Sequence, residues 1–176
     1  FGTKEGIPFQ VKYLTAAEEL YFYGNTNTFL LSLDPGEHLC ELENLRKLTI
    51  GAYGLSTLPE SFKNLKSLEY LDLSGNNFQK VPEVLTPENF PNLTALIMNA
   101  CQRSNIYDLS NTNKTEFGGF YDDMDVDEDG NKTFPRRLLL WDNLDTLRLS
   151  VNYLEGTIPD LVNDTAFPKW TAEEVN

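Results

Sequence analysis

Residues 68–82 read LEYLDLSGNNFQKVP, and the spacing of their apolar residues decides the fold. Leu71 and Leu73 alternate with polar neighbours, which predicts a short strand that turns its leucines inward. The chain then turns at Asn76, whose amide can both donate to and accept from buried backbone groups of adjacent coils. One such unit cannot bury its own apolar face. The stretch therefore requires neighbours of the same kind.

Those neighbours are visible as copies of the same pattern. Full or near copies begin at Leu45, Leu68, Leu93 and Leu144, and a weaker copy begins at Ala17. The first three of these starts lie 23 and 25 residues apart, which is a typical length for one coil of a repeat protein. The next interval is 51 residues and holds either a degenerate repeat or an insertion. We expect an insertion, because residues 111–135 contain no apolar run of this period.

The pattern LxxLxLxxNxL resembles the leucine-rich repeat superfamily over about residues 17–160. The stretch 152–159, NYLEGTIP, is similar to a variant of plant receptor ectodomains, whereas Leu58-Pro59 and Val81-Pro82 are similar to bacterial and intracellular repeats. The mixture, the acidic insertion and the lack of cysteine caps together resemble secreted or surface-anchored leucine-rich repeat proteins of gut bacteria. The resemblance implies an α/β fold, a right-handed solenoid of about five to six coils. Its short parallel strands would line the concave face, and 3₁₀ helices, short helices or loops would form the convex face.

The 176 residues are expected to form a single domain with a sizeable core. Within it we expect an N-terminal cap over residues 1–15 and an acidic insertion over residues 111–135. Residues 161–176 would form a C-terminal cap or a truncated repeat. Trp141 is expected in the convex core, and Cys101 occupies the inward position of Asn76, where it would be a buried small residue. With only Cys40 besides, the cysteines do not predict a disulfide framework.

The repeat register also assigns the side chains that point outward from the predicted strands. Those with binding chemistry are Tyr21, Tyr23, Lys47, Tyr70, Asp72, Asn99 and Arg148. Outward tyrosines suit recognition of a protein or a glycan, because they combine flat apolar area with a hydroxyl group. They are also ordinary strand residues, so the pattern alone leaves both interpretations open. Asp72 and Arg148 share one position of the repeat in strands that do not follow each other in sequence.

The net charge of −13 argues against nucleic acids and anionic membrane surfaces as partners, since both attract basic patches. No apolar stretch is long enough to predict membrane insertion. A monomer is expected, and the resemblance implies an extracytoplasmic protein, secreted or at the cell surface.

Residues 125–130, DVDEDG, place Asp125, Asp127 and Asp129 at alternate positions before a glycine, like the start of a calcium-binding loop. The match then fails, because the twelfth position is Arg136 where a bidentate glutamate is required. The other interpretation is an exposed hairpin with Asp129 and Gly130 at its tip. No cofactor is expected apart from calcium, which the pattern of residues 125–130 indicates as a possible ligand.

Catalysis has little support. The single histidine, His38, lies in a turn region, and no nucleophile, base and orienting acid recur at an interpretable spacing. We therefore expect a non-catalytic module that binds a protein or a glycan through its concave sheet, with the acidic loop beside it. The alternatives are a calcium-dependent cell-surface adhesion module and the targeting domain of a larger enzyme.

Overall fold

The computed structural model describes residues 7–24, 38–101, 120, 136–139 and 141–152. Their strands form one parallel sheet in chain order, so the chain is an α/β solenoid in which each coil adds one strand. The strands are β1 (Glu19–Tyr23), β2 (Lys47–Gly51), β3 (Tyr70–Asp72), β4 (Ala95–Ile97) and β5 (Thr146–Arg148). The fold predicted from the repeat is confirmed.

Short 3₁₀ helices return the chain between strands on the opposite side of the coils. In the described residues they span Phe9–Tyr13, Leu39–Glu41, Glu60–Asn64 and Arg136–Leu139. Pro59 precedes the third with extended backbone, a favourable residue at a helix start because it lacks the N–H that would stay unpaired there. Phe62 in this helix and Leu65 after it are fully buried.

The core lies between the sheet and these crossings. The inward leucines of the three middle strands, Leu48, Leu71 and Leu96, are fully buried. Behind them the rings of Phe62 and Phe90 pack with centroids 6.0 Å apart. Such stacking of one coil on the next buries the apolar face that a single coil leaves exposed.

Asn76 joins two coils through both ends of its amide. Its Oδ1 accepts hydrogen bonds from the N–H groups of Tyr53, at 3.0 Å, and Leu55, at 3.1 Å. Its Nδ2 donates to the carbonyl oxygens of Ile50 and Leu73, both at 2.7 Å. Asn76 is itself buried, so four backbone groups inside the turn depend on one side chain.

The residues at the equivalent repeat position link the later coils through similar hydrogen bonds. Asn152 Oδ1 accepts the Cys101 N–H at 2.7 Å, and its Nδ2 donates to Met98 and Leu149, both at 2.8 Å. The Cys101 thiol donates to the Leu73 carbonyl with an S to O distance of 3.6 Å, so it replaces part of the asparagine network. Burial raises the pKa of the Cys101 thiol, which keeps it protonated as a donor.

Tyr53 occupies the position of Asn76 in the preceding coil, and the residue before each of these four positions adopts the left-handed backbone conformation. Its φ is +53° at Ala52, +73° at Gly75, +52° at Ala100 and +60° at Val151. The turn after the strand therefore demands a positive φ in four coils. Only glycine adopts this conformation without steric cost, and a β-branched residue such as Val151 is the least suited to it.

Strands β4 and β5 pair directly, with Ala95 opposite Thr146 and Ile97 opposite Arg148. The two strands are therefore neighbours in the sheet although 51 residues separate the starts of their repeats. The residues of 111–135 other than Phe120 lie outside the described ranges, as do residues 1–6 of the N-terminal cap and all of 161–176. These boundaries stay predictions.

Candidate functional site

The strand pairing defines two rows of outward residues, which we call the third row and the fifth row after their positions in the repeat. The third row is Glu19, Lys47, Tyr70, Ala95 and Thr146, and the fifth row is Tyr21, Thr49, Asp72, Ile97 and Arg148. Both rows have the register that the sequence predicts. Together with the residues that follow the strands they form the concave face, on which all seven predicted binding residues lie.

Two exposed tyrosines form the N-terminal end of the concave face. Tyr21 is 70% exposed and Tyr23 is 51% exposed. Their rings are nearly parallel, with 11° between the planes and centroids 6.1 Å apart. Tyr23 lies against Gly51, where a Cβ atom would come within 2.5 Å of the Tyr23 ring. Because Gly51 has no side chain, the Tyr23 ring can pack directly on the backbone of β2.

The centre of the concave face combines Tyr70, Asp72 and Arg148. Asp72 Oδ1 accepts the Ser74 N–H at 2.9 Å, which holds the carboxylate in place. Partial burial raises the pKa of the Tyr70 phenol, and the neighbouring Asp72 carboxylate and Tyr21 raise it further, whereas Arg148 opposes the shift. These influences indicate that the four polar groups lie near one another on one surface.

Two outward residues of the fifth row are nevertheless covered. Thr49 is 8% exposed and Ile97 is 5% exposed, although both point away from the leucine core. Their neighbours in the same row, Tyr21, Asp72 and Arg148, are more accessible to solvent. The fifth row therefore consists of projecting side chains on alternate strands, with low positions between them.

Lys47 and Asn99 are on the concave face but already have partners. Lys47 Nζ lies 3.6 Å from a carboxylate oxygen of Glu19 on the neighbouring strand. Asn99 Oδ1 accepts the Ser150 N–H at 2.8 Å, so its side chain links two coils. Both remain predicted ligand contacts, but each would have to share or exchange its present partner.

A charged row that the sequence reasoning missed borders the concave face. Arg46 forms two hydrogen bonds with the Glu69 carboxylate, at 2.9 and 2.8 Å, and lies 3.9 Å from Glu18. The hydrogen bond to Glu69 is the main cause that raises the pKa of Arg46. All three residues occupy the position that follows the first apolar residue of the repeat. Alternating charge at one repeat position was the signal that could have found this row.

Among the clefts formed by described residues, two lie outside the concave face. The larger has a volume of about 710 Å³ and includes Thr57, Asn77 and Lys80 in its lining. The smaller, of about 250 Å³, runs beside Phe90 and Trp141. Trp141 is buried and packs in the core, as its position in the repeat predicts.

The surroundings of the single histidine and the two cysteines bear most directly on catalysis. His38 is a surface residue whose Nδ1 lies 3.1 Å from Glu41 Oε1. Cys40 and Cys101 are both buried, and the raised pKa of the Cys101 thiol disfavours the thiolate that a nucleophile requires.

No group of three or more histidine, cysteine or acidic residues suited to a metal occurs within the described ranges. Asp125, Asp127 and Asp129 lie outside those ranges, so the predicted calcium loop stays a prediction. Among the residues that the structure places, no helix is long and apolar enough to cross a membrane.

The family model for the Leucine Rich Repeat matches residues 67–93, which contain the Asn76 turn. The chain contains a leucine-rich repeat, and the stacked coils of the described residues have the solenoid fold of such repeats. Among its relatives, a protein of Arabidopsis thaliana named as a disease resistance protein is 38% identical over 61 residues, which is 35% of this chain and 4% of the relative. Receptor-like protein 39 of the same plant is 40% identical over 75 residues, which is 41% of this chain and 8% of that protein.

A solved leucine-rich repeat protein of Leptospira interrogans superposes with a TM-score of 0.47 and 17% identity. The match covers 83% of this chain and 34% of that protein. The leucine-rich repeat chain described here thus matches less than a tenth of the length of either plant relative. The resemblance to proteins of gut bacteria stays a prediction.

Proposed function

We propose that this leucine-rich repeat protein is a non-catalytic module that binds another macromolecule, a protein or a glycan, through its concave face. The observation that carries the proposal is the pair Tyr21 and Tyr23, two large rings that stay exposed on a parallel sheet. Tyrosine has few rotatable bonds, so ordering it on binding costs little entropy, and it is frequent in recognition surfaces. Leucine-rich repeats generally serve binding, which is consistent with this role.

We further propose that the protein acts as a monomer outside the cytoplasm, secreted or at a cell surface. Support comes from the sequence resemblance and from a relative that is named a receptor-like protein. The concave face and its tyrosines would then be available to an extracellular ligand.

The test compares exposed tyrosines at different places. Ligands are selected on the immobilised wild-type protein from a displayed library of random peptides and from a glycan array, and are then bound again to variants. Tyr21→Ser and Tyr23→Ser should each weaken the selected ligands by about tenfold, the loss expected for a central aromatic contact. Tyr13→Ser is the matched control, because Tyr13 is 69% exposed in the first 3₁₀ helix rather than on the sheet. Equal losses in all three variants, or no loss in the first two, would argue against the concave face.

The sequence pattern of residues 125–130 supports a second candidate function, calcium-dependent adhesion through the acidic insertion. Calcium titration by calorimetry and thermal melting should then give binding heat and a higher melting temperature. The triple variant Asp125→Ala/Asp127→Ala/Asp129→Ala should remove both effects. Binding heat that survives in the triple variant would place the calcium elsewhere, and its absence in the wild type would end this candidate.

A further inference from the structure

The fifth row alternates in height and in chemistry along the sheet. Tyr21 on β1 and Arg148 on β5 are exposed and Asp72 on β3 is half-buried, whereas Thr49 and Ile97 between them are buried. The projecting groups are an aromatic ring, a carboxylate and a guanidinium group. A ligand that crosses the strands would therefore meet three different contacts at equal intervals.

The interval follows from the sheet. Neighbouring strands lie about 4.8 Å apart, so side chains on alternate strands start about 9.6 Å apart. A polyproline II helix rises about 3.1 Å per residue with three residues per turn, so its side chains return to one face every 9.3 Å or so. An ordinary extended strand repeats at about 6.7 Å and would fall out of step with the row. The spacing of the row thus fits a polyproline II segment that runs across the strands.

The two charged groups of the row are available for such a segment. Asp72 Oδ1 accepts the Ser74 N–H, and the Tyr70 hydroxyl also hydrogen-bonds to the Asp72 carboxylate. A basic group of a ligand would share this carboxylate with Tyr70. The Arg148 guanidinium group is exposed and makes no ion pair or hydrogen bond within the described structure. The buried side chain of Ile97 lies between their strands. A ligand that approaches this surface would thus meet one negative and one positive group above an apolar floor.

We propose that the fifth row binds a proline-rich peptide segment that carries a basic residue against Asp72 and an acidic residue, three positions away, against Arg148. A proline or another apolar residue three positions to the other side of the basic residue would pack on Tyr21. This inference rests on the proposed function and names its ligand class. A neutral glycan could stack on Tyr21 but would leave both charges without an ionic partner, so the charges favour the peptide.

The test uses the intact protein and synthetic peptides. The matched peptide is acetyl-PPPPKPPEPP-amide, the spacing control is acetyl-PPPPKPEPPP-amide, and acetyl-PPPPQPPEPP-amide lacks the basic group. Binding is followed by amide chemical shifts of ¹⁵N-labelled protein. The matched peptide should shift residues of β1, β3 and β5 and should bind about two- to fivefold more tightly than either control, the gain expected from one exposed ion pair.

A mutant cycle then assigns the contact. Asp72→Asn keeps an acceptor for the Ser74 N–H but removes the charge, and it should weaken the matched peptide about two- to fivefold. The same variant should not change binding of the glutamine peptide. Glu83→Gln is the matched control, because it removes an acidic charge beside the larger cleft. It should change the binding of neither the matched peptide nor the glutamine peptide.

Three results would overturn the inference: no shifts on the concave face, equal binding of the two spacings, or an effect of Asp72→Asn that is independent of the peptide lysine. Chitohexaose serves as the glycan probe. Shifts of β1 and β3 with chitohexaose but not with the peptides would overturn the peptide class and leave the concave face as the binding surface. If Tyr21→Ser and Tyr23→Ser weaken the binding of no selected ligand, the proposed function itself is wrong.

Discussion

Replacing Asn76 by alanine should remove the hydrogen-bond partner of four buried backbone groups at once. The N–H groups of Tyr53 and Leu55 and the carbonyl groups of Ile50 and Leu73 all depend on its amide. A buried polar group left without a partner costs about 1–3 kcal/mol, so four of them cost at least about 4 kcal/mol. A domain has a total stability of about 5–15 kcal/mol. This single turn therefore decides a large share of the free energy of unfolding.

We expect Asn76→Ala to lower the free energy of unfolding by about 4 kcal/mol. For a chain of this size the melting temperature should fall by about 8–16 °C. Urea unfolding followed by circular dichroism measures the first quantity, and a thermal melt measures the second. An unchanged slope with urea would show that the native state, and not the compactness of the unfolded chain, has changed.

The neighbouring residue provides the control. The Asn77 Oδ1 atom is buried and accepts no hydrogen bond in the described structure. Asn77→Ala removes the same atoms without releasing any backbone group, so its effect should stay within about 0.5 kcal/mol. Equal losses for Asn76→Ala and Asn77→Ala, or a loss below about 1 kcal/mol for Asn76→Ala, would refute the account of the turn.

Three further predictions concern the turns, the buried thiol and the tyrosine pair. Val151→Gly should stabilise the fold by about 0.5–1 kcal/mol in urea unfolding, because relief of the left-handed strain exceeds the entropy that glycine loses, whereas Gly75→Val should destabilise it by about 1–2 kcal/mol. The raised pKa of Cys101 means that above about pH 8.5 the unfolded chain releases a proton that the folded chain keeps. The free energy of unfolding should thus keep its full value below that pH and fall by up to about 1.4 kcal/mol per pH unit above it. Cys101→Ala should lack this pH dependence even if the variant is less stable. Gly51→Ala should displace the Tyr23 ring and change the near-ultraviolet circular dichroism of the tyrosines, while the far-ultraviolet signal stays; an unchanged near-ultraviolet spectrum would contradict the contact.

The register of the sheet could be predicted from the sequence because two periodicities combine, that of the strand and that of the repeat. A strand alternates every two residues, and the repeat fixes where each strand begins, so the pairing of Asp72 with Ile97 and of Ile97 with Arg148 follows. The role of Asn76 was also predictable, because few side chains both donate to and accept from the backbone. Neither inference requires knowledge of neighbouring side-chain conformations.

The left-handed turns and the pairing of Arg46 with Glu69 were not predicted. The residue before each linking position is Ala52, Gly75, Ala100 or Val151. The first three are small, and this was a signal of restricted space that the apolar pattern does not include. Arg46 and Glu69 are far apart in sequence and become neighbours only when the coils stack. Interactions between coils can therefore be predicted when residues at the same repeat position in successive coils are compared with one another.

The periodicity predicts the direction of each outward side chain but not its height above the sheet. Thr49 and Ile97 point outward as predicted, yet they are buried. Thr49 lies beside the longer Tyr21 side chain, and Ile97 lies beside the longer Arg148 side chain. Backbone pairing of the strands and side chains such as Asn76 and Asn152 inside the turns hold one coil to the next. In the described residues the side chains of the fifth row do not supply these links. Outward residues can therefore change with little cost in stability. This separation explains how a repeat can keep one scaffold while its projecting side chains determine the ligand.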